Sequence, residues 1–365
     1  MALCEEGVIK GSLDPDKAAG PSAFDLTLAG EGWLMRGSVK GNPTEAYEQT
    51  LSESAYRTKR IDLSRPVVLE PRCTYLIRLA ESLDLSAHPD LHGVASGKSS
   101  VGRLDVLVRL IADYAPGFDQ IVPSRRSKRH GITLYAEVTP ISFPIQVQAG
   151  VSLNQLRLFM GEDYISELGP GLLKYYANIL LHPDRSLEHE DELQELTVDI
   201  TPVVDGEAAG LIGFEGLRDI RHPIPLLPGT PGADPRNYWK PVAVQESGER
   251  LEIVPERFYI LRSRERFRLP PEVAAFVQAM SERLGELRIH YAGFVHPGFG
   301  WLRPEGTPLI FETRGHNITT FLRHAERMAV IRYYQMSEPV DEETIAAESY
   351  QHQELTLSRY FAPWR

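Results

Sequence analysis

Apolar and polar side chains alternate along short stretches of this chain, with a period of two far more often than 3.6. Residues 74–79 (Thr-Tyr-Leu-Ile-Arg-Leu) and 131–138 (Gly-Ile-Thr-Leu-Tyr-Ala-Glu-Val) are typical. Alternation over four to eight residues predicts strands with one face buried. Helical spacing is predicted in two places: from Pro170 to Leu181, with Leu172, Leu173, Tyr176, Ile179 and Leu180, and from Pro271 to Leu284, with Val273, Phe276, Val277 and Met280 on one stripe. The rest of the chain reads as β, so the expected class is all-β with a few short helices.

The pattern also repeats. Residues 71–85 align without a gap with residues 255–269, at an offset of 259 − 75 = 184, and Pro, Tyr, Arg, Glu and Leu recur in register. Downstream, Arg103-Leu104 matches Arg283-Leu284 (283 − 103 = 180), and Pro116-Gly117-Phe118 matches Pro297-Gly298-Phe299 (297 − 116 = 181). Upstream, Phe24-Asp25-Leu26 faces Val198-Asp199-Ile200 (198 − 24 = 174). Preserved order with varying spacing predicts a tandem of two related β-domains. The boundaries expected are residues 1–168 for the first unit, 169–195 for a helical and acidic linker, and 196–365 for the second. The linker's Glu188-His189-Glu190-Asp191 reads as a solvated charge run.

Composition narrows the function. Over 365 residues, 50 acidic side chains against 39 Lys and Arg leave a net charge of −11, which gives no footprint for nucleic acid or anionic membrane. A compact anion would need a local basic pocket. The two cysteines, Cys4 and Cys73, are too few for a disulfide framework, a Cys4 zinc site or an iron–sulfur cluster. The first ten residues hold Glu5 and Glu6 where a secretory signal would be basic, and no apolar run reaches the length of a membrane span. A cytoplasmic protein is expected.

Oriented donors for such an anion sit together in Gly97-Lys98-Ser99-Ser100 and Arg103, which combine a cation, hydroxyls and backbone N–H groups. Two other readings stay open for the segment. Residues 93–99 look like a P-loop, although three residues separate the glycines where four are needed; a surface turn rich in small residues is the other. The run Arg125-Arg126-Ser127-Lys128-Arg129-His130 reads as a solvated loop tip.

Each unit runs from an Asp-bearing strand through a Pro turn, a Tyr strand, a Glu-x-x-x-Leu stretch, a polar loop and a Pro-Gly-Phe turn to a strand pair. This order resembles the dCTP deaminase and dUTPase superfamily, and the doubled length resembles bacterial dCTP deaminases with two units in one chain. The resemblance is carried by Pro21-Ser22-Ala23-Phe24-Asp25-Leu26, by the phosphate-loop match Lys98 to Leu104, by the hairpin Tyr291 to Phe299, by Leu309-Ile310-Phe311-Glu312, and by a tail Tyr350-Gln351-His352-Gln353. It implies two distorted jelly-roll β-barrels, a homo-oligomer, and deamination of dCTP to dUTP and ammonia in deoxypyrimidine nucleotide synthesis. It further implies Glu312 as the catalytic carboxylate. Lys98, Ser99, Ser100, Arg103, Ala292, Phe294, His296, Tyr350 and Gln353 would bind substrate, with Mg2+ on the triphosphate and dTTP as a candidate inhibitor.

Attack of water at C4 of cytosine needs a group that carries protons to N3 and to the leaving ammonia, a task for a carboxylate. Zinc deaminases add a metal held by a Pro-Cys-x-x-Cys motif, and Cys4 and Cys73 have no such spacing. No metal ligands are therefore expected. Counting back in the first unit puts Tyr135 or Ala136 at the Glu312 position, with Glu137 one pleat away. The second unit's Ala279-Met280-Ser281-Glu282-Arg283 lacks the phosphate-loop residues. Such complementary loss suggests a site composed of phosphate-loop residues from one unit and base-site residues from the other. His296 and Phe294 stand where the family has Asp and Arg. Two alternatives remain: a dUTP diphosphatase, alone or bifunctional with deamination, and a non-catalytic nucleotide-binding regulator.

Overall fold

The computed structural model describes residues 2–161, 167–173, 175–176, 178–182, 194–243, 250–279, 287–289, 293–348 and 350–364. The architecture is all-β, and the longest described α-helices, Tyr47–Ser52 and Glu342–Ala347, have six residues. Among the described residues no helix is long and apolar enough to cross a membrane. The chain divides into two units. One joins Met1–Asp163 with Asp219–Ala233, and the other joins Tyr164–Arg218 with Asp234–Arg365.

The first unit is a nine-stranded antiparallel sheet curled on itself. Its main path runs Val106–Ala112, Ile132–Pro140, Tyr75–Leu83, Phe24–Met35, Ser152–Met160, Leu91–Gly97 and Gln120–Ile121. Inward positions such as Leu26, Leu28, Ile77 and Leu79 are fully buried, as strict alternation requires. A smaller three-stranded sheet holds Val67–Leu69, Ile145–Val147 and Ile224–Pro225. Its last strand comes from the excursion Asp219–Ala233 and lies parallel to Ile145–Val147, with Ile224 N–H on Pro144 O (2.9 Å) and Leu226 N–H on Gln146 O (2.9 Å). The expected division at 168 and 196 leaves this excursion out.

The second unit repeats the first. Its central strand Phe258–Phe267 corresponds to Tyr75–Leu83, and the offset of 184 survives in detail: Tyr75 Oη accepts from Glu70 N–H at 3.0 Å and Tyr259 Oη from Val254 N–H at 3.1 Å. The buried carboxylates Glu81 and Glu265 each accept from a threonine's amide and hydroxyl, at 2.8 and 2.7 Å from Thr27 and at 2.7 and 2.6 Å from Thr197. Removing either phenol oxygen strands a half-buried amide, so Tyr75→Phe and Tyr259→Phe should each cost about 1 kcal/mol in chemical denaturation.

Three sequence expectations are corrected. Val273–Ala279 is a strand paired along its length with Arg327–Gln335, not a helix; residues 280–284 lie outside the described residues. Both faces of Val273–Val277 are covered, so the apolar run carries no alternation and mimics a helical stripe. Of the helix expected from Pro170 to Leu181, the described residues show Pro170–Leu173 helical and Tyr175–Tyr176 outside it, and Leu180–Leu181 pairs with Phe267 and Arg266 just as Ile9–Lys10 pairs with Leu83 and Ser82. The described part of the expected linker thus repeats the start of the first unit, a short helix and then a strand, with Leu173, Ile179 and Leu180 buried in the second core. Glu188–Asp191 lies outside the described residues. Finally, the upstream offset is 198 − 28 = 170, not 174. Leu28 exchanges backbone bonds with Val151 and Gly150, and Val198 exchanges the same bonds with Glu326 and Ala325.

Candidate active site

The phosphate-loop residues form the link between strands Leu91–Gly97 and Val106–Ala112, through a single helical turn Ser99–Gly102. Lys98 anchors it by its N–H on Leu153 O (3.0 Å), and its carbonyl accepts from Val101 and Gly102 (2.8 and 2.9 Å). Strand, turn and strand belong to an antiparallel sheet, so the βαβ setting of a P-loop is absent. Ser99 is exposed, whereas Ser100 and Arg103 are each only 4% exposed. The Lys98 ammonium pairs with Asp25. Beside it, buried Arg157 donates to Ser96 Oγ (3.1 Å), and burial pulls the guanidinium down to about 9, with Asp25 opposing that shift. Asp25 is legible in the sequence as part of the Pro21–Leu26 motif; Ser96 and Arg157 are not, because they reach it from two other strands.

Glu312 sits on strand Thr307–Gly315, directly opposite Ile260, and is partly exposed. Nearby in sequence, the turn Pro297–Gly300 carries His296 before it. The His296 Nδ1 lies 3.1 Å from Pro297 O, its ring stands edge-on to Phe299, and burial lowers its basicity, with the Glu348 charge opposing. A neutral ring that donates through Nδ1 leaves Nε2 as an acceptor, and Nε2 has no hydrogen-bond partner among the described residues. Phe294 packs edge-on against Phe276 at 4.9 Å. Ala292 lies outside the described residues.

The C-terminal tail is docked onto this turn by a residue the sequence reading passed over. Gln351 is 2% exposed; its Oε1 accepts from Gly300 N–H (2.8 Å) and its Nε2 donates to Gly298 O (3.2 Å). Gln353 is buried too, donating to Pro308 O at 2.8 Å, and the Tyr350 Oη accepts from Arg359 N–H at 3.0 Å. Glu354 is held by Arg266, by Arg303 (3.2 Å) and by Arg262 (3.6 Å), the last also paired with Asp199 at 2.7 Å. Under the tail lies a cleft of about 440 Å³, lined by Phe214, Leu357, Phe361 and Trp364 together with Asp205, Glu207, His352 and Arg359.

The first unit holds a carboxylate that the sequence count misplaced. Leu76 corresponds to Ile260 by the offset of 184, and the residue opposite Leu76 is Glu137. Glu137 therefore occupies the register of Glu312 itself, neither one pleat away nor replaced by Tyr135 or Ala136. The structural counterpart of Met328 is Leu153, at 328 − 153 = 312 − 137 = 175. Glu137 is 3% exposed and faces Arg109 across the strand pair. Burial pushes its carboxyl up, against bonds from Ser38 and Val39 and the charge of Arg109.

Close by, Asp119 is pushed up to about 7, mainly by burial, while it accepts from Leu110 N–H at 2.7 Å. A carboxyl whose folded-state pKa is raised binds its proton more tightly when folded, so stability falls as pH rises from about 4 to about 7. Asp119→Asn keeps the acceptor and removes the charge. It should be more stable than wild type by about 2–4 kcal/mol at pH 8, with the gap closing towards pH 4, as read by urea denaturation across that range.

A model of the 2′-deoxycytidine 5′-triphosphate deaminase N-terminal domain matches residues 1–162, and one of the C-terminal domain of the same enzyme matches residues 179–361. The crystal structure of 2′-deoxycytidine 5′-triphosphate deaminase from Agrobacterium tumefaciens is similar at a TM-score of 0.80 and 29% identity, over 93% of this chain and 96% of that one. Dutpases of phage phi11 of S. aureus and of Staphylococcus bacteriophage 80alpha overlap 26% of this chain, and 76% and 78% of their own, at 11% identity and TM-scores of 0.21 and 0.20, too low to weigh. No curated protein matches in sequence.

Proposed function

The chain belongs to the 2′-deoxycytidine 5′-triphosphate deaminase family, and on that premise we propose that it hydrolyses dCTP to dUTP and ammonia with Glu312 as the proton shuttle. The observation that carries the choice of Glu312 is its partial exposure on a register position where its counterpart Glu137 is sealed. The Glu312 carboxylate takes a proton from water as oxygen adds to C4, and delivers it to N3. It then takes the second proton from the new hydroxyl and passes it to N4, which leaves as ammonia while C4 becomes a carbonyl. Each transfer needs the carboxyl within hydrogen-bond reach of the ring edge.

His296, whose basicity burial lowers and whose Nε2 has no hydrogen-bond partner among the described residues, is assigned to orient the attacking water or the amino group. The Phe294 and Phe276 rings wall the base. Lys98, Ser99, Ser100 and Arg103 are assigned to the phosphates of a nucleotide that brings its own Mg2+. Tyr350 and Gln353 support the site through the tail that Gln351 locks to the Pro297–Gly300 turn. Ala292 is kept as a candidate base contact.

The test is incubation of EDTA-washed protein with dCTP and Mg2+, following ammonia and separating the products. Ammonia with dUTP supports the reading. Saturable dCTP binding without ammonia would sink it in favour of a nucleotide-binding regulator, and dUMP with pyrophosphate would add diphosphatase action. Size-exclusion chromatography with light scattering, and the same assay with added dTTP, test homo-oligomerisation and inhibition.

A further inference from the structure

Among the described residues, the two units differ in one connection. In the first unit it joins Phe24–Met35 to Arg57–Asp62; in the second it joins Leu211–Gly216 to Trp239–Ala243. The necks are closed by equivalent bonds, Arg36 N–H to Tyr56 O (2.9 Å) and Leu217 N–H to Tyr238 O (2.8 Å). Their destinations differ. The second connection contributes Asp219–Ala233 to the first unit's small sheet. The first folds back onto its own unit, over Glu137.

The Ser38 hydroxyl donates to Glu137 Oε1 at 2.8 Å, and the Val39 N–H donates to the same carboxyl group. Tyr47 N–H reaches Asp113 Oδ1 at 2.7 Å, on the turn equivalent to that of Phe294 and His296. Tyr47 and Leu51 are buried with Leu76, Ile111 and Tyr135. Gly41 lies so close to that turn that a Cβ would stand 2.6 Å from Ala115 O.

We propose that residues 37–55 are a built-in occupant of a second base site, centred on Glu137, for an aminopyrimidine nucleotide. The inference rests on the role given to Glu312, since Glu137 shares its register. A carboxylate that accepts two neighbouring donors matches the N3–H and N4–H edge of a cytosine protonated at N3, and here a hydroxyl and an amide supply those donors. The chain thereby fills its own first site, while the second unit sends the corresponding segment elsewhere and leaves Glu312 partly exposed.

The full-length Glu312→Gln protein, which on this reading turns over dCTP about 10²–10⁴-fold more slowly, provides the background. Residues 37–55 are replaced by a short Gly-Asn turn across the Arg36–Tyr56 neck, and labelled dCTP bound per chain is measured by equilibrium dialysis. The expected result is one further dCTP per chain, lost again when Glu137→Ala, which removes the acceptor oxygens altogether, is added. Unchanged stoichiometry in a variant with the parent's circular dichroism and thermal transition would overturn the proposal, as would an added site that survives Glu137→Ala. Should the shortened chain fail to fold, Ser38→Asp, which sets a second carboxylate against Glu137, is read in the same way. Failure of the Glu312 role shows separately, as ammonia release at the wild-type rate in Glu312→Gln.

Discussion

Glu312→Gln should lower kcat for dCTP by about 10²–10⁴-fold, with the Kd for dCTP changed far less. The amide keeps the volume and an acceptor oxygen, so the base can still be held, but it neither takes a proton from water nor returns one to N4. A fall in affinity as large as the fall in kcat would make Glu312 a binding group rather than a shuttle. Glu312→Asp withdraws the carboxyl by one methylene and should fall between the two, since proton transfer depends steeply on reach. The pair of variants separates chemistry from geometry at a single position.

Gly300→Ala is expected to cost about 3–5 kcal/mol and to take activity with it. Gly300 has φ +71, where a Cβ is strained, and that Cβ would stand 2.1 Å from Phe267 O and 2.9 Å from Thr307 N. Both are backbone atoms of paired strands, so no side-chain rotation relieves the overlap. The turn would have to move, breaking the Gly300 N–H bond to Gln351 and loosening the tail from the hairpin that carries His296. Urea denaturation of the purified variant reads the loss directly. Wild-type stability in Gly300→Ala would mean that the turn is softer than its contacts imply.

Much of the fold is legible in the sequence because alternation and repetition are backbone properties. The Tyr75 and Tyr259 strands align without a gap, and their hydrogen bonds repeat atom for atom. Register across loops is not legible in the same way. Residues 24–26 were set four positions off because the sequence match of Phe-Asp-Leu with Val-Asp-Ile outweighed a threonine, Thr27 or Thr197, whose importance lies in a carboxylate more than fifty residues away. The same kind of error hid Glu137, because residue types alone do not mark Leu153 as the counterpart of Met328 on the strand that follows. For the site, residue types were readable but burial was not. Ser100, Arg103 and Gln353 carry suitable chemistry, and only the packing reveals that they lie inside the unit while Gln351, one residue from Tyr350, fixes the turn. Sequence also gives no sign that a segment of one repeat completes the other, since Ile224–Pro225 is too short to show a period.

That exchanged strand sets an order of events during synthesis. Ile145–Val147 is made early, yet its parallel neighbour Ile224–Pro225 leaves the ribosome only after the second repeat has begun. Until then the nascent first half carries an unpaired sheet edge, the kind of surface that recruits stray strands. A fragment ending near residue 163 would keep that edge for good. A cut at the sequence midpoint therefore separates the first repeat from the third strand of its small sheet, and a division of the gene that keeps this sheet whole has to carry residues 219–233 with the first half.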